Sequence, residues 1–377
     1  MRLVLGAGLL AAVAGDVAAQ STRFVATDTI WYATNRAPSG DRWRDEPGAL
    51  SFGARTFSVG TAVVGDLLWS GSVPATLVGD TAMAREDWLA ALGAGLFSST
   101  QPELPILVYV HGFGTSFEEV TEHAAELRRR GSFTGPLVVF SWPSRGSGVS
   151  WPTLKYPLST AYRRDRSQAQ ESISDFVSLL RDLVSRYSAS RIVVVAYSLG
   201  NQLLDGAIRD STIGPRLTLT PLRTLAFVSP DVDATWFTDS LLTHAQRTST
   251  RQVLYGARND RMLLASSFVN KSPRAGRLDG SAGWPESLEV VDMTDGPVTG
   301  NWFIRHFGSN HALRRRPAAM LDLFAIVLRG APRSCRSFLS QMARDSADRW
   351  RLTPAPTPMA IATGPDSLAA CRATTPQ

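Results

Sequence analysis

From about Gln101 onward the chain alternates short, wholly apolar runs with segments of helical periodicity. That alternation is the pattern of strands laid parallel and joined by crossover helices. The runs Ile106–Val110, Leu137–Ser141, Ile192–Ala196, Thr224–Ser229, Gln252–Gly256 and Leu288–Asp292 read as the strands. Their apolar residues are nearly continuous rather than alternate, so both faces of the sheet must be covered. Between them Phe117, Val120, Ala124 and Leu127 recur at helical spacing, as do Ile173, Phe176, Leu180 and Leu183. Leu321, Phe324, Ala325 and Leu328 mark a last helix behind Pro317, a residue suited to a first turn. The class is α/β, with an open, mostly parallel, doubly wound sheet.

The segment before this core has a different texture. Residues 20–100 scatter Gly, Thr, Val and Trp among Pro and Asp, with no sustained helical period before Glu86. They read as a β-rich N-terminal section that adds strands or covers a sheet edge. The core then runs over 101–330. Beyond it, Leu352-Thr353-Pro354-Ala355-Pro356-Thr357-Pro358 has the composition of an extended linker, so 331–377 is expected to be an extension outside the catalytic domain. Residues 1–19 have the form of a secretory signal: Arg2, the apolar stretch Leu3 to Ala14, and small residues at Val17-Ala18-Ala19 before Gln20. A periplasmic or secreted protein is therefore expected. Cys335 and Cys371 both fall in the extension, where an oxidising compartment would let them pair.

Composition sharpens this only a little. At 377 residues and 44% hydrophobic the chain can bury a full core. Its 39 Lys and Arg against 33 Asp and Glu leave +6, but the basic residues come in short bursts such as Arg128-Arg129-Arg130. Such bursts read as solvated helix faces, so no nucleic-acid partner is expected. No later stretch is long and apolar enough for a transmembrane helix. Five histidines without paired helical spacing and no cysteine cluster argue for no metal. No dinucleotide or phosphate loop follows a strand, so no cofactor is expected.

The chemistry concentrates in Ile192-Val193-Val194-Val195-Ala196-Tyr197-Ser198-Leu199-Gly200-Asn201. A β-branched strand runs into small-x-Ser-x-Gly, and Gln202-Leu203-Leu204 opens a helix. A nucleophile elbow needs small residues two before and two after its serine, so that strand and helix backbones can pass; Ala196 and Gly200 meet that need. Earlier, Val110-His111-Gly112-Phe113-Gly114 closes another strand. That loop would supply the Phe113 N–H to an oxyanion hole shared with the Leu199 N–H, leaving His111 as a structural residue.

A serine nucleophile needs a base and an acid, in the chain order Ser, acid, His for this arrangement. Only His244, His306 and His311 follow Ser198. His244, in a polar stretch, reads as a surface residue. His306 and His311 lie between the sixth strand and the last helix, with His311 nearer the helix start. Asp260 follows the fifth strand and is the preferred acid; Asp231 and Asp233, after the fourth, are alternatives and otherwise turn or N-cap residues.

These stretches resemble a bacterial family of α/β-hydrolases long catalogued as a domain of unknown function (DUF900). The likeness is carried by Trp31-Tyr32-Ala33-Thr34-Asn35-Arg36, His111-Gly112-Phe113 with Ser116-Phe117-Glu118-Glu119, Phe140-Ser141-Trp142-Pro143-Ser144, the elbow, Pro230-Asp231-Val232-Asp233, Leu254-Tyr255 through Asp260, and Val291-Asp292 leading to the His311 loop. It spans roughly Ile30 to Gly330 and implies the α/β-hydrolase fold and a serine triad, without naming a substrate. Tyr197 stands where the family usually has His. Asn310-His311-Ala312-Leu313 stands where relatives tend to read His-Ser-Tyr, and His306-Phe307 looks like the same motif five residues too early.

Two functional classes follow. As an enzyme, the chain would cleave carboxylic esters or related small-molecule or lipid-like acyl compounds through Ser198, His311 and an aspartate. As a non-enzyme, it would be an envelope binding module on a hydrolase scaffold. All required residue types stand in order, which favours the enzyme.

Overall fold

Strand after strand places one apolar residue on each face in turn, and this is why the sheet is buried on both sides. In the computed structural model, which describes residues 26–59, 75–97, 105–131, 133–145, 158–278, 284–295, 311–313, 316–328, 330, 342–344 and 350–352, Ile106, Val108 and Val110 join one apolar cluster while Leu107 joins the other. Val194 and Ala196 likewise oppose Val193 and Val195. The leader, Cys335, Cys371 and His306 lie outside the described residues.

Eleven strands among the described residues form one sheet: β1 (Ala26–Ser39), β2 (Arg42–Val59), β3 (Ala75–Met83), β4 (Ile106–Val110), β5 (Leu137–Ser141), β6 (Ile192–Tyr197), β7 (Thr224–Val228), β8 (Gln252–Gly256), β9 (Leu288–Asp292), β10 (Met342–Arg344) and β11 (Trp350–Leu352). Their order is β10-β11-β9-β8-β7-β6-β4-β5-β1-β2-β3. The strands from β4 to β9 run parallel, and β1 joins β5 in parallel while pairing antiparallel with β2. The N-terminal section thus extends the sheet as an antiparallel β1-β2-β3 wing. Gly40 makes the β1–β2 turn at φ 63, a backbone region that costs glycine little.

The α-helices of five or more residues among those described are α1 (Arg85–Phe97), α2 (Phe117–Arg130), α3 (Leu158–Glu171), α4 (Ile173–Tyr187), α5 (Gly200–Arg209), α6 (Gly214–Leu219), α7 (Leu242–Thr248), α8 (Arg261–Asn270) and α9 (Pro317–Leu321). Trp88 and Leu92 of α1, Phe176 and Leu180 of α4 and Leu203 and Leu204 of α5 pack on one face. Val120, Ala124 and Leu127 of α2 pack on the other, with Met320, Leu323 and Phe324. A complete capping box starts α2: Ser116 caps the Glu119 N–H, and the Glu119 carboxylate accepts from the Ser116 N–H. Among the described residues no helix is long and apolar enough to cross a membrane.

Three local expectations change. The fourth parallel strand stops at Val228, because Ser229 turns to φ 43, although its N–H still donates to Tyr255 O of β8 at 2.7 Å. The last helix is α-helical only to Leu321 and continues as a π-helical turn over Asp322–Leu328, where buried Asp322 accepts a hydrogen bond from Tyr255 Oη at 2.7 Å. The extension after 330, expected outside the domain, returns to it: β11 pairs in parallel with β9, and β10 pairs with β11. Trp350, buried in the second cluster, supplies the apolar contact that the proline-rich composition concealed.

The β1 strand does more than extend the sheet. Arg36, fully buried, donates from Nε to Ser141 Oγ (2.9 Å), from Nη1 to Ser144 O (3.0 Å) and Asp45 (2.5 Å), and from Nη2 to Thr115 O (2.7 Å). One guanidinium therefore holds the ends of β1 and β5 and the loop after β4. Arg36→Met should lower unfolding free energy by about 3 kcal/mol, because the buried acceptors lose their donor. Arg36→Lys should restore little, since a single ammonium cannot span those directions. Urea denaturation checks both, and a loss below about 1 kcal/mol for the Met variant would show that the clamp is dispensable.

Candidate active site

Ser198 is placed by the geometry of leaving β6. It adopts φ 52, a left-handed conformation unusual for a residue with a side chain. Its N–H donates to Val228 O at 2.9 Å, so the turn is still tied to β7. Asn201 closes the turn from the other side, its Nδ2 donating to Ala196 O (2.9 Å) and Ser198 O (3.0 Å). At Gly200 a Cβ would lie 2.5 Å from His111 O and 2.8 Å from Val110 O, so α5 can start here only with glycine. At Gly112 a Cβ would stand 2.7 Å from that of Ser198. The serine and the loop after β4 are in closest contact because both neighbours lack bulk.

His311 Nε2 lies 2.8 Å from Ser198 Oγ, and His311 Nδ1 lies 2.7 Å from Asp260 Oδ2. The other Asp260 oxygen accepts from the Met262 and Leu263 N–H groups, both at 3.0 Å, making Asp260 the N-cap of α8. The Asp260 carboxylate is thereby held by a helix start, where negative charge is favoured. Ser229 Oγ donates to His311 O at 2.9 Å and anchors the histidine backbone to the end of β7. Burial alone drives the His311 imidazole down, the largest single effect. The neighbouring Asp260 carboxylate, with help from Asp231, outweighs it and holds the group above its ordinary value.

The loop after β4 faces the serine. Neither the Phe113 nor the Leu199 N–H donates to a group among the described residues. His111 is buried and stacks on Trp142 at 4.9 Å between ring centroids. Its Nδ1 donates to Gly112 O (2.9 Å) and its Nε2 accepts from the Trp142 N–H (3.2 Å). Burial first, and then Arg36, pushes His111 down to about 3, so it stays neutral.

The remaining candidates take other places. Asp233 caps Ala234–Trp236, accepting from the Trp236 N–H at 2.9 Å. Asp231, expected in a turn or cap if not the acid, is instead buried: Oδ1 pairs with Arg274 Nε (2.8 Å) and accepts from Ser266 Oγ (2.6 Å), while Oδ2 accepts from Tyr162 Oη (2.9 Å). His244, expected at the surface, is half-buried in α7, its Nδ1 2.9 Å from Ser240 O.

Two residues had no motif to announce them. Asp165 of α3, fully buried, accepts from Gly114 N–H (3.1 Å), Ser144 Oγ (2.6 Å) and Arg145 N–H (3.2 Å), stitching the loop after β4 to the loop after β5. Tyr162, one turn earlier, lines the cleft and is pushed up to about 12 by burial and then by Asp231, so it remains a hydrogen-bond donor. The only sequence sign was a buried-stripe spacing of Tyr162, Asp165 and Ala169 with a carboxylate inside it.

A cleft of ≈ 280 Å³ opens over the serine, lined by Phe113, Tyr162, Ser198, Met262, Val269 and His311 among others. Among the described residues no group of His, Cys, Asp and Glu is arranged to hold a metal. The arrangement can deprotonate a hydroxyl and stabilise an anion beside it.

No curated protein matches the chain. Solved structures that match include the HSL homologue EstE7 from a metagenome library (14% identity, 68% of this chain and 99% of that one, TM-score 0.33). Others are the thermostable carboxylesterase EstE1 from a metagenomic library (15% identity, 60% and 80%, TM-score 0.31) and a puromycin-hydrolyzing peptidase of Mycobacterium tuberculosis (14% identity, 78% and 54%, TM-score 0.34). The model of one family, "Alpha/beta hydrolase of unknown function (DUF900)", matches residues 91–306, more than half of the chain. With that match and the parallel sheet described above, the chain belongs to this family of α/β-hydrolases.

Proposed function

We propose that the protein is an exported serine hydrolase that cleaves carboxylic esters or related acyl compounds. The observation that carries this reading is the unbroken hydrogen-bonded chain from Asp260 through His311 to Ser198, at 2.7 and 2.8 Å. In that reading His311 carries its proton on Nδ1, facing Asp260, and Nε2 takes the Ser198 proton as Oγ attacks the acyl carbon. The carbonyl electrons move onto oxygen, where the Phe113 and Leu199 N–H groups receive them. His311 then returns its proton to the leaving oxygen, and the acyl group stays on Ser198. Water, deprotonated by the same imidazole, frees the acid and restores the serine. Asp260 orients the ring and stabilises the imidazolium without taking the proton.

Export belongs to the same proposal and rests on Arg2, the apolar stretch to Ala14 and the small residues at Val17-Ala18-Ala19. The Pro-Ala-rich extension with Cys335 and Cys371 would then meet an oxidising environment, where the two thiols pair.

Ser198→Ala should abolish labelling by a fluorophosphonate probe and cut ester turnover roughly 10³-fold or more, while leaving the melting temperature close to that of the parent. A wild-type protein that neither takes the label nor hydrolyses an activated ester would overturn the enzyme reading in favour of the binding module.

His311→Ala and Asp260→Asn should each lower kcat roughly 10³-fold or more, with Asp231→Asn milder. The base works when neutral, and its folded value lies above the ordinary histidine value. The acid limb of kcat/KM should therefore have its midpoint above about 6.5, and Asp260→Asn should move it down. The same raised value means that the His311–Asp260 pair stabilises the fold fully below about pH 6.5, and that this contribution fades as pH rises through the folded value. A limb at or below the ordinary value in the wild type would contradict the coupling.

Mass spectrometry of protein recovered outside the cytoplasm should give a chain starting at or near Gln20, with Cys335 and Cys371 alkylated only after reduction. Retention of Met1 to Ala19 would count against export, and alkylation without reductant against the disulfide.

A further inference from the structure

A second hollow lies behind the catalytic serine. It measures ≈ 190 Å³, is more enclosed than the cleft, and shares with it Phe113, Tyr197 and Ala312. The cleft lies over the strand ends, whereas this hollow sits on the α2 face of the sheet, between Val195 and Val228 on one side and Leu127, Leu323 and Phe324 on the other. Strand alternation explains its relation to the nucleophile. Ala196 packs on the opposite face, so Tyr197 projects to the same side as Val195 and stands beside His311, with ring centroids 5.1 Å apart. The residue next to the nucleophile is thus part of the wall common to both spaces.

We infer that this rear hollow receives the acyl group of the substrate and that Tyr197, with Phe113 and Ala312, forms the passage into it. The inference rests on the serine-hydrolase reading and names its substrate class: esters of compact, apolar acyl groups. His311 Nε2, which delivers a proton to the leaving oxygen, faces the open cleft from which an alcohol can diffuse. The acyl group stays bonded to Ser198 Oγ until water arrives, so an enclosed space suits it. An apolar cavity of about 150 Å³ holds a benzene molecule, so this one suits an acyl chain of about six carbons. Both ring nitrogens of His111 are occupied by Gly112 and Trp142, which leaves its ring as an uncharged part of the wall. Tyr109, Thr115 and His123 are the remaining polar members of the lining.

The test is a series of p-nitrophenyl esters from acetate to decanoate, where only the acyl group varies, beside alkyl acetates, where only the alcohol varies. The wild type should prefer an acyl chain of about six carbons. Leu127→Phe and Leu323→Phe narrow the hollow from two different helical segments, and each should lower the hexanoate-to-acetate ratio of kcat/KM about tenfold. Leu127→Ala, which enlarges it, should move the preference to longer chains. Melting temperatures identify any variant that fails to fold, and the other filling variant then decides. An unchanged ratio in a folded filling variant, with acetate still turned over, overturns the acyl assignment alone. A change confined to the alkyl acetates overturns it in favour of the alcohol. Absence of both turnover and fluorophosphonate labelling in the wild type overturns the serine-hydrolase reading, and this assignment with it.

Discussion

A buried parallel strand must become a helix at Ser198 without room for a loop, and the rest of the site is arranged around that turn. The strand β6 is covered on both faces and bonded on both edges, so the chain can leave only at the sheet's end. Turning there puts Ser198 at φ 52, a strain of order 1–2 kcal/mol for a residue with a Cβ. The strain persists because the surroundings over-determine it: Val228 O and the Asn201 amide hold the turn from opposite sides. Close packing of Gly200 under Val110 and His111 admits no Cβ. What results is a hydroxyl presented at the sheet edge, with the N–H of Leu199 beside it.

Everything that meets the serine there comes from a loop, and each loop is tied to the sheet by a buried polar side chain. Arg36 and Asp165 hold the loop after β4 against the loop after β5. Ser229 holds the His311 backbone, and α8 holds Asp260 by its first N–H groups. Loops carry chemistry well only when a rigid frame restrains them. Here charged and hydroxyl groups provide the restraint because loop backbones expose carbonyls and N–H groups that apolar packing cannot satisfy.

Two carboxylates stand near His311, and their settings separate their parts. Asp260 spends one oxygen on the start of α8 and the other on the imidazole. Asp231 spends both on Arg274, Ser266 and Tyr162, and acts on the imidazole only through space. The Arg274 pair keeps Asp231 compensated inside the protein, where an unpaired charge would be costly. The polar groups that Asp231 gathers in the mostly apolar wall of the cleft are therefore saturated, whereas the Phe113 and Leu199 N–H groups beside the serine donate to no group among the described residues.

Much of this was legible along the chain, for a physical reason. Strand and helix periodicities are local, so the six parallel strands and the helices over Phe117 and Ile173 follow from spacing alone. The elbow is local too: Ala196, Gly200 and the strand before them are the steric conditions for the turn. What distance along the chain hides had to come from packing. Asp260 and Asp231 follow neighbouring strands and look alike in sequence; only the fold sets one against His311, 51 residues away, and the other against Arg274, 43 residues away. Arg36 and Asp165 carried no local sign of their roles, because each bonds to loops scattered over the chain. Trp350 has no local sign of its burial inside a polar, proline-flanked extension, because burial there depends on the neighbouring strand and not on local composition. Local sterics and periodicity were therefore written in the sequence, while the choice among chemically equivalent side chains belonged to the tertiary structure, where distance and desolvation decide between them.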